Sequence, residues 1–252
     1  MSKPILVANW KNYPSSLAEA TFLLKGFSAN KLVYKKLSLF IAPPLTYLGL
    51  VKEKALSYTK LASQDISLAT KTTTGAVTVD ILKSFGVKLA IIGHSERRAL
   101  GETSEQVREK VRLALRSGIT PLVCVGELSH DQDGEHFEFL RKEIKLSLAG
   151  LNKSDASKLS LAYEPVWAIG KHAKDAIEPT DLSQTVIFIR KVLTDMFGRK
   201  TAENIPVLYG GSVETNNANI LVSGTGIKGF LVGRASLNAK SFKEIAQALI
   251  SK

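Results

Sequence analysis

The stretch LAIIGHSERRALGETSEQVREKVRLALRSGITPLVCVG, residues 89–126, contains one complete repeat of the pattern that decides the fold. An apolar run, LAIIG, is followed by polar residues, then by an amphipathic segment at 103–118, and then by a second apolar run, PLVCVG. Thr103 and Gln106 match a capping box at the start of the amphipathic segment, and Gly118 ends it. Continuous apolar runs of this length are typical of parallel strands that are buried on both faces. The stretch therefore predicts a strand, a helix and a second parallel strand.

The same alternation runs through the rest of the chain, without a linker between the repeats. Pro179 suits the first turn of a helix that continues through Ile189. Ser241 and Glu244 match a capping box at the start of a helix that ends near residue 250. The candidate strands are residues 5–9, 37–42, 60–65, 89–93, 121–126, 159–164, 206–210 and 229–233.

Eight strand–helix repeats in 252 residues predict an α/β protein with a single-domain (β/α)8 barrel that spans residues 1–252. An open doubly wound sheet is the alternative. Such a sheet usually carries a glycine-rich fingerprint after its first strand, whereas NWKNYP follows the first strand of this chain. In a barrel of this kind, the chemistry takes place at the carboxyl ends of the strands. The residues that follow the strands are therefore the candidates for a functional site.

The net charge of +11 is compatible with two classes of protein. One is a nucleic-acid binder, and the other is an enzyme whose positive field attracts a small anionic substrate. The basic residues are spread over most of the predicted helices, which favours the enzyme and predicts no nucleic-acid partner. The first apolar run is too short for a signal peptide, and no apolar segment is long enough to span a bilayer. We expect a cytoplasmic protein without membrane contact.

Neither the cysteine nor the histidines indicate a metal site. Cys124 is the single cysteine, which excludes an intrachain disulfide and a cysteine-built zinc site, and we interpret it as a buried packing residue. The segment SHDQDG, residues 129–134, has serine where a calcium loop needs aspartate, and Leu140 stands where the bidentate glutamate is needed. Three further histidines have no partner at ligand spacing and are expected to be exposed: His130, His136 and His172.

Three ionisable residues follow three different predicted strands. Each has an ordinary explanation by itself: Lys11 as a solvated loop lysine, His94 as a strand-end histidine, and Glu164 as a paired surface carboxylate. Together they would meet on one face of the barrel, which is the arrangement that acid–base chemistry needs. His94 also precedes a short helical turn, whose N–H groups would disfavour the protonated imidazole.

Six short motifs carry a resemblance that covers essentially the whole chain. In order and spacing they resemble the motifs of the triosephosphate isomerase family, whose barrel is the TIM-barrel fold. The combination is far more specific than any single motif. The motifs are NWK (9–11), GHSERR (93–98), CVGE (124–127), YEPVWAIG (163–170), YGGSV (209–213) and LVGRAS (231–236).

The resemblance implies a cofactor-independent isomerase of central carbon metabolism. The family interconverts dihydroxyacetone phosphate and glyceraldehyde 3-phosphate through an enediol(ate), and it is a well-known example of tuned acid–base chemistry. Glu164 matches the base that removes the carbon-bound proton, and His94 matches the neutral electrophile that polarises the carbonyl. Lys11 matches the fixed positive charge, and Asn9 a neighbouring hydrogen-bonding group. The matching supporting residues are Glu96 and Glu127.

The phosphate of the substrate is expected at the loops after the last two strands. Gly211 and Ser212 in YGGSV, together with Gly233 and its neighbour Arg234, match that site. Gly170 matches the glycine whose amide meets the phosphate when the loop after the sixth strand closes.

The chain departs from the family at three places. After Gly170 it reads KHAKDAIEP instead of the usual lid tip and hinge. Gly233 is followed by Arg234 instead of a second glycine, so we expect the guanidinium either to reach the phosphate or to point away. The loop tip after the third strand reads Thr74-Gly75-Ala76, without the usual glutamate that would pair with Arg97 or Arg98. The pair Thr74-Gly75 matches the family, and the resemblance therefore still implies a homodimer through this loop.

Two alternatives for the function remain open at this point. One is another phosphate-sugar isomerase on the same fold, because a fold does not fix a reaction. The other is a non-catalytic protein that binds a phosphorylated metabolite, which the altered lid and Arg234 would allow. The joint presence of Asn9, Lys11, His94 and Glu164 argues against both, since a pure binder has no need of Glu164.

Overall fold

The computed structural model describes residues 3–54, 57–69, 71–131, 133–168 and 177–251. Within them, eight parallel strands form a closed barrel in chain order, and the last strand pairs with the first. The predicted (β/α)8 barrel is confirmed, and the open-sheet alternative is excluded because a closed sheet has no edge strands. The strands are β1 (Ile5–Asn9), β2 (Ser38–Ala42), β3 (Thr59–Ser63), β4 (Leu89–Ile92), β5 (Thr120–Val125), β6 (Ser160–Tyr163), β7 (Val207–Tyr209) and β8 (Gly229–Val232).

Helices cover the outside of the barrel. None of those in the described part of the chain is long and apolar enough to cross a membrane. Short 3-10 turns lie at Leu45–Tyr47, Val166–Ala168 and Arg234–Leu237. The α-helices are α1 (Leu17–Ser28), α2 (Lys31–Tyr34), α3 (Leu48–Lys54), α4 (Val79–Ser84), α5 (Ser95–Ala99), α6 (Ser104–Arg116), α7 (Glu135–Ser147), α8 (Lys153–Ala156), α9 (Pro179–Phe197), α10 (Arg199–Asn204), α11 (Ala218–Val222) and α12 (Ala239–Ile250).

The helix starts show where local sequence signals decide a boundary. The capping box of α6 is confirmed: the N–H of Gln106 donates to Thr103 Oγ1 at 3.3 Å, and the N–H of Thr103 donates to Gln106 Oε1 at 2.9 Å. The box predicted for α12 is wrong. Asn238 Oδ1 accepts from the N–H groups of Lys240 and Ser241, both at 3.0 Å, so the N-cap lies three residues before the predicted cap at Ser241. An asparagine that already satisfies the first free N–H groups makes a later cap unnecessary.

The core has two layers, because alternate residues of each strand point to opposite faces of the sheet. On β1, Leu6 and Ala8 pack outward against the helices, whereas Val7 points into the barrel. The inner layer fills the barrel with side chains and makes it a packed core rather than a pore. Its buried members are Val7, Phe40, Ala42, Ala62, Leu89, Ile91, Leu122, Cys124, Ala162, Leu208 and Leu231.

The histidines of the segment after β5 differ from their prediction in one case. His130 is exposed as expected, but His136 is only 7% exposed, so the prediction of an exposed side chain is wrong there. Asp131 accepts the N–H of His136 at 2.7 Å and lies 3.1 Å from its Nδ1, while the ring of His130 covers it at 4.4 Å. These contacts come from residues five and six positions away in the chain. They bury the His136 ring, for which the sequence indicates no partner. His172 lies outside the described residues.

Candidate active site

The carboxyl ends of the strands surround a cavity of about 790 Å³. Asn9 and Lys11 reach it from β1, His94 from β4 and Glu164 from β6. The barrel thus brings together four residues that are up to 155 positions apart in the chain, as the difference between 164 and 9 shows.

Glu164 is a buried carboxylate at the end of β6, with 2% of its surface exposed. Its N–H donates to Val125 O at 2.9 Å, which continues the sheet one residue beyond β6. Its Oε2 accepts the N–H of Ser95 at 2.9 Å, and its Oε1 lies 3.1 Å from His94 Nε2 without the alignment of a hydrogen bond. Burying a carboxylate oxygen without a hydrogen bond is costly. This oxygen therefore has free acceptor capacity at the wall of the cavity.

His94 caps the N-terminus of α5 with its side chain. The N–H of Glu96 donates to His94 Nδ1 at 3.2 Å, so this nitrogen carries a lone pair and the ring proton is on Nε2. The ring is 7% exposed and directs Nε2 towards Glu164. The cap fixes both the tautomer and the direction of the imidazole.

Lys11 has an unusual backbone conformation, with φ of +51°, the only positive φ outside glycine among the described residues. Its N–H donates to Asn9 Oδ1 at 3.1 Å, and Gln64 Nε2 donates to its carbonyl at 2.7 Å. Its ammonium reaches Glu96 Oε1 at 2.5 Å. Backbone strain of this kind persists where the surroundings hold it and is frequent at functional sites. The sequence does not indicate this role of Gln64, because the run KLASQD predicts a strand through residue 65, whereas β3 ends at Ser63.

Space for Glu164 depends on a glycine at the end of the neighbouring strand. A Cβ atom added to Gly210 would lie 2.9 Å from Glu164 Cγ and 3.5 Å from its Oε1. The absence of a side chain at this position lets the carboxylate occupy the barrel mouth.

The other side of the cavity consists of the turns after β7 and β8. Gly211, Ser212 and Gly233 line it together with Arg234. A Cβ atom on Gly233 would lie 3.3 Å from Lys11 Cε, so the stem of the lysine packs against this turn. The residues matched to the phosphate site thus border the same cavity as Glu164. Gly170 lies outside the described residues.

The side chain of Arg234 is directed at an acidic residue of the neighbouring turn. Its Nη2 lies 3.3 Å from Glu214 Oε1, and 67% of the arginine side chain is exposed. Glu214 was not noticed in the sequence, because nothing local connects the turn after β7 with the turn after β8.

Glu127 lies behind Glu164 and holds the first residues after β6. It is 1% exposed, and its Oε1 accepts from the hydroxyl of Tyr163 at 2.8 Å and from the indole N–H of Trp167 at 2.6 Å. Its carbonyl accepts the N–H of Val166 at 3.0 Å. Burial, and then the Glu127 charge, raise the pKa of the Tyr163 hydroxyl, which therefore stays a donor. These bonds fix the backbone directly after Glu164.

The two arginines of α5 have carboxylate partners within the chain. Arg97 lies 3.3 Å from Asp65, which also receives two hydrogen bonds from the buried Lys110 at 2.7 and 2.8 Å. Arg98 lies 3.2 Å from Glu143. The loop carboxylate that Ala76 replaces is therefore not needed to neutralise either arginine. Sequence reasoning did not find Asp65, Lys110 or Glu143, because each becomes informative only through its long-range partner.

The fold and the site together define an acid–base enzyme for a small anionic substrate on a (β/α)8 barrel. A family model described as triosephosphate isomerase matches residues 4–249. The triosephosphate isomerase of Roseiflexus castenholzii is 37% identical to this chain, and the alignment covers 99% of this chain and 98% of the relative. That of Carboxydothermus hydrogenoformans is also 37% identical, over 99% of this chain and 100% of the relative. That of Fusobacterium nucleatum is 39% identical, over 98% of this chain and 99% of the relative. The chain belongs to the triosephosphate isomerase family. Family membership makes it an isomerase of the aldose–ketose type and disfavours both alternatives.

Proposed function

We propose that the protein interconverts dihydroxyacetone phosphate and D-glyceraldehyde 3-phosphate with Glu164 as the base. The observation that carries the proposal is the position of Glu164, a buried carboxylate whose Oε1 accepts no hydrogen bond from the described residues and lies 3.1 Å from His94 Nε2. Glu164 removes the proton from the carbon beside the carbonyl, and an enediolate forms. The same carboxyl returns the proton to the neighbouring carbon, while the hydroxyl proton passes from one substrate oxygen to the other, so the protein is left unchanged.

His94 donates a hydrogen bond to the substrate oxygens from Nε2. A neutral imidazole with its proton on Nε2 suits this task, because it is a better-matched donor to an enediolate than an imidazolium. The bond from Glu96 to Nδ1 supports the assignment, since it leaves Nε2 as the donor.

Lys11 and Asn9 stabilise the developing negative charge on the other side of the cavity. A preorganised ammonium stabilises an oxyanion without reorganisation during the reaction. The bonds of Lys11 to Asn9 and Gln64 support this role because they hold the strained backbone in place. Glu96 pairs with the ammonium at 2.5 Å and lines the same cavity.

The substrate phosphate binds between the turns after β7 and β8. Ser212, Gly233 and Arg234 border the cavity there, and backbone N–H groups remain available to an anion whatever the side chain. Gly170, matched by resemblance to a further amide donor, lies outside the described residues. Glu127 supports the site by holding Trp167.

The test is the replacement of Glu164 by glutamine, assayed with glyceraldehyde 3-phosphate through a coupled dehydrogenase. A positioned base contributes about 10²–10⁴-fold, so we expect kcat to fall by that factor while KM changes little. Glu203→Gln is the matched control, because Glu203 forms an exposed pair with Arg199 on α10. Undiminished kcat in the Glu164 variant, or an inactive folded wild type, would refute the assignment.

We also propose a homodimer formed through the loop at Thr74 and Gly75. Both residues are exposed, and a cavity of about 460 Å³ beside this loop is lined by Gly75, Lys11 and Glu96. Leu100 borders it with 81% of its surface exposed, which a partner subunit would cover. The cytoplasmic location, the roles in glycolysis and gluconeogenesis, the single domain over residues 1–252, and the lack of a cofactor or nucleic-acid partner stay predictions.

A further inference from the structure

We propose that Glu214 holds the guanidinium of Arg234 away from the substrate phosphate, and that this ion pair limits the affinity of the site for anions. The inference rests on the proposed phosphate position between the turns after β7 and β8. It makes Arg234 and Glu214 a pair that determines substrate affinity in this chain.

The backbone of Arg234 lies in the turn after β8, beside the proposed phosphate position. Its guanidinium is directed away from that position, towards Glu214. Arg234 directly follows Gly233, whose Cα faces the stem of Lys11, and it lines the same cavity as Ser212 and Glu164. Its single contact of 3.3 Å with Glu214 spans the gap between the two turns. The guanidinium is thus close to the proposed phosphate but engaged elsewhere.

Glu214 is the fixed member of the pair. Its N–H donates to Asn217 Oδ1 at 2.8 Å, and Asn217 Nδ2 donates to Ser212 O at 3.0 Å. Its carbonyl accepts the N–H of Ala218 at 3.1 Å, the first residue of α11. Arg234 has the longer side chain and is 67% exposed, compared with 35% for Glu214. Because the backbone of Glu214 is anchored and its side chain is the shorter and less exposed of the two, its carboxylate decides where the arginine lies.

Both cations next to Gly233 are neutralised in the free site. Lys11 pairs with Glu96, and Arg234 pairs with Glu214. An exposed pair with one contact is weak, so a phosphate competes with Glu214 for the guanidinium rather than finding it free. Arginine donates to phosphate with two parallel N–H groups, so a released guanidinium would bind the phosphate well.

The proposal is tested with Glu214→Gln, which keeps the size of the side chain and removes its charge. We expect KM for glyceraldehyde 3-phosphate and the inhibition constant of inorganic phosphate both to fall, by about twofold to fivefold at low ionic strength, which is the range that an exposed ion pair covers. The effect should fade as salt is added. In the Arg234→Ala background, the same Glu214 substitution should have little effect on either constant. Glu203→Gln removes the same negative charge from a position that does not line the cavity, so it should leave both constants unchanged.

Three outcomes would overturn the proposal. Unchanged constants in Glu214→Gln would mean that the pair does not restrain the arginine. Raised constants would mean that the pair instead clamps the two turns together. Lowered constants that persist in the Arg234→Ala background would mean that Glu214 repels the phosphate directly, without Arg234. Thermal unfolding of each variant verifies that it is folded.

The proposed phosphate site can fail separately. If inorganic phosphate does not compete with glyceraldehyde 3-phosphate in the wild type, the position of the phosphate is wrong, and the inference fails with it. If phosphate competes in the wild type and Glu214→Gln behaves like Glu203→Gln, only the inference is wrong.

Discussion

At the scale of single residues, the site depends on where side chains are missing as well as on where they are present. Glu164 can lie buried at the barrel mouth because Gly210 leaves its Cγ room, with 2.9 Å to the position of a Cβ atom. Lys11 can approach the turn after β8 because Gly233 presents no side chain to its stem. The site therefore depends on two glycines, Gly210 and Gly233, as well as on residues that carry a functional group.

Gly210→Ala tests this dependence. The added methyl group would force Glu164 to move, and a displacement of about 1 Å can reduce turnover by about 10²-fold. We expect kcat to fall strongly while the barrel still folds, as measured by the coupled assay and by circular dichroism. Gly49→Ala is the control, since its Cβ would meet Phe85 at an ordinary 3.7 Å on the exposed face of α3. Normal kcat in Gly210→Ala would contradict the close contact.

At the scale of elements, α5 is a five-residue helix that is held in place from outside. A helix this short is unstable by itself, so its contacts must maintain it. Arg97 connects it with Asp65 after β3, and Arg98 connects it with Glu143 on α7. Because His94 caps this helix, the same contacts position the imidazole.

Glu143 makes the stability of this region depend on pH. It is 7% exposed, and Gly126 donates to it at 2.8 Å. Burial raises the pKa of its carboxyl from 4.5 to about 7, although Arg98 and the Gly126 N–H lower it. Between these two values the unfolded chain releases the proton while the folded chain keeps it. Glu143 therefore lowers the free energy of unfolding progressively as the pH rises through this window.

Glu143→Gln should remove this pH dependence, because glutamine stays neutral. We expect the variant to gain free energy of unfolding relative to the wild type between about pH 5 and about pH 7, with no further change above about pH 8. Urea denaturation at several pH values measures the difference. Glu138→Gln is the control on the same helix, because Glu138 is 70% exposed. A difference from the wild type that stays constant between about pH 5 and about pH 7 would show that the buried carboxyl is already ionised at the lower pH.

At the scale of the whole molecule, closure of the barrel assembles the site. β8 pairs with β1, which brings Gly233 next to Lys11 although they are separated by most of the chain. The cavity beside Gly75 extends from this site to the surface, so a second subunit on the loop at Thr74 and Gly75 would border Lys11 and Glu96. Subunit association and catalysis are therefore expected to be linked.

Thr74→Arg tests that linkage. A long charged side chain at the exposed loop tip should prevent the loop from docking, so we expect a monomer in sedimentation velocity and a clear loss of kcat. The stability of the wild type should rise with protein concentration, since association stabilises the folded state. Ser154→Arg on the exposed helix α8 is the control and should change neither property. A fully active wild-type monomer would refute the proposed dimer.

Much of this could be predicted from the sequence because its signals are local. Apolar runs gave the strands within a few residues, and Thr103 with Gln106 located the start of α6 correctly. The start of α12 was misplaced because two caps compete within four residues, and His136 was misassigned because its burial depends on Asp131 and His130. Gln64, Asp65, Glu143 and Glu214 stayed unnoticed, because each acts through a partner from another strand–helix repeat.

The sequence by itself determined the fold class, the family resemblance and the identity of the residues at the strand ends, because strand periodicity and short motifs are written in neighbouring positions. Only the tertiary structure decided how those residues are held. The hold of Gln64 on the strained backbone of Lys11, the bond from the Ser95 N–H to Glu164 and the direction of Arg234 all follow from contacts between separate repeats. Such contacts exist only once the barrel has closed, since closure is what brings distant strand ends within hydrogen-bonding distance.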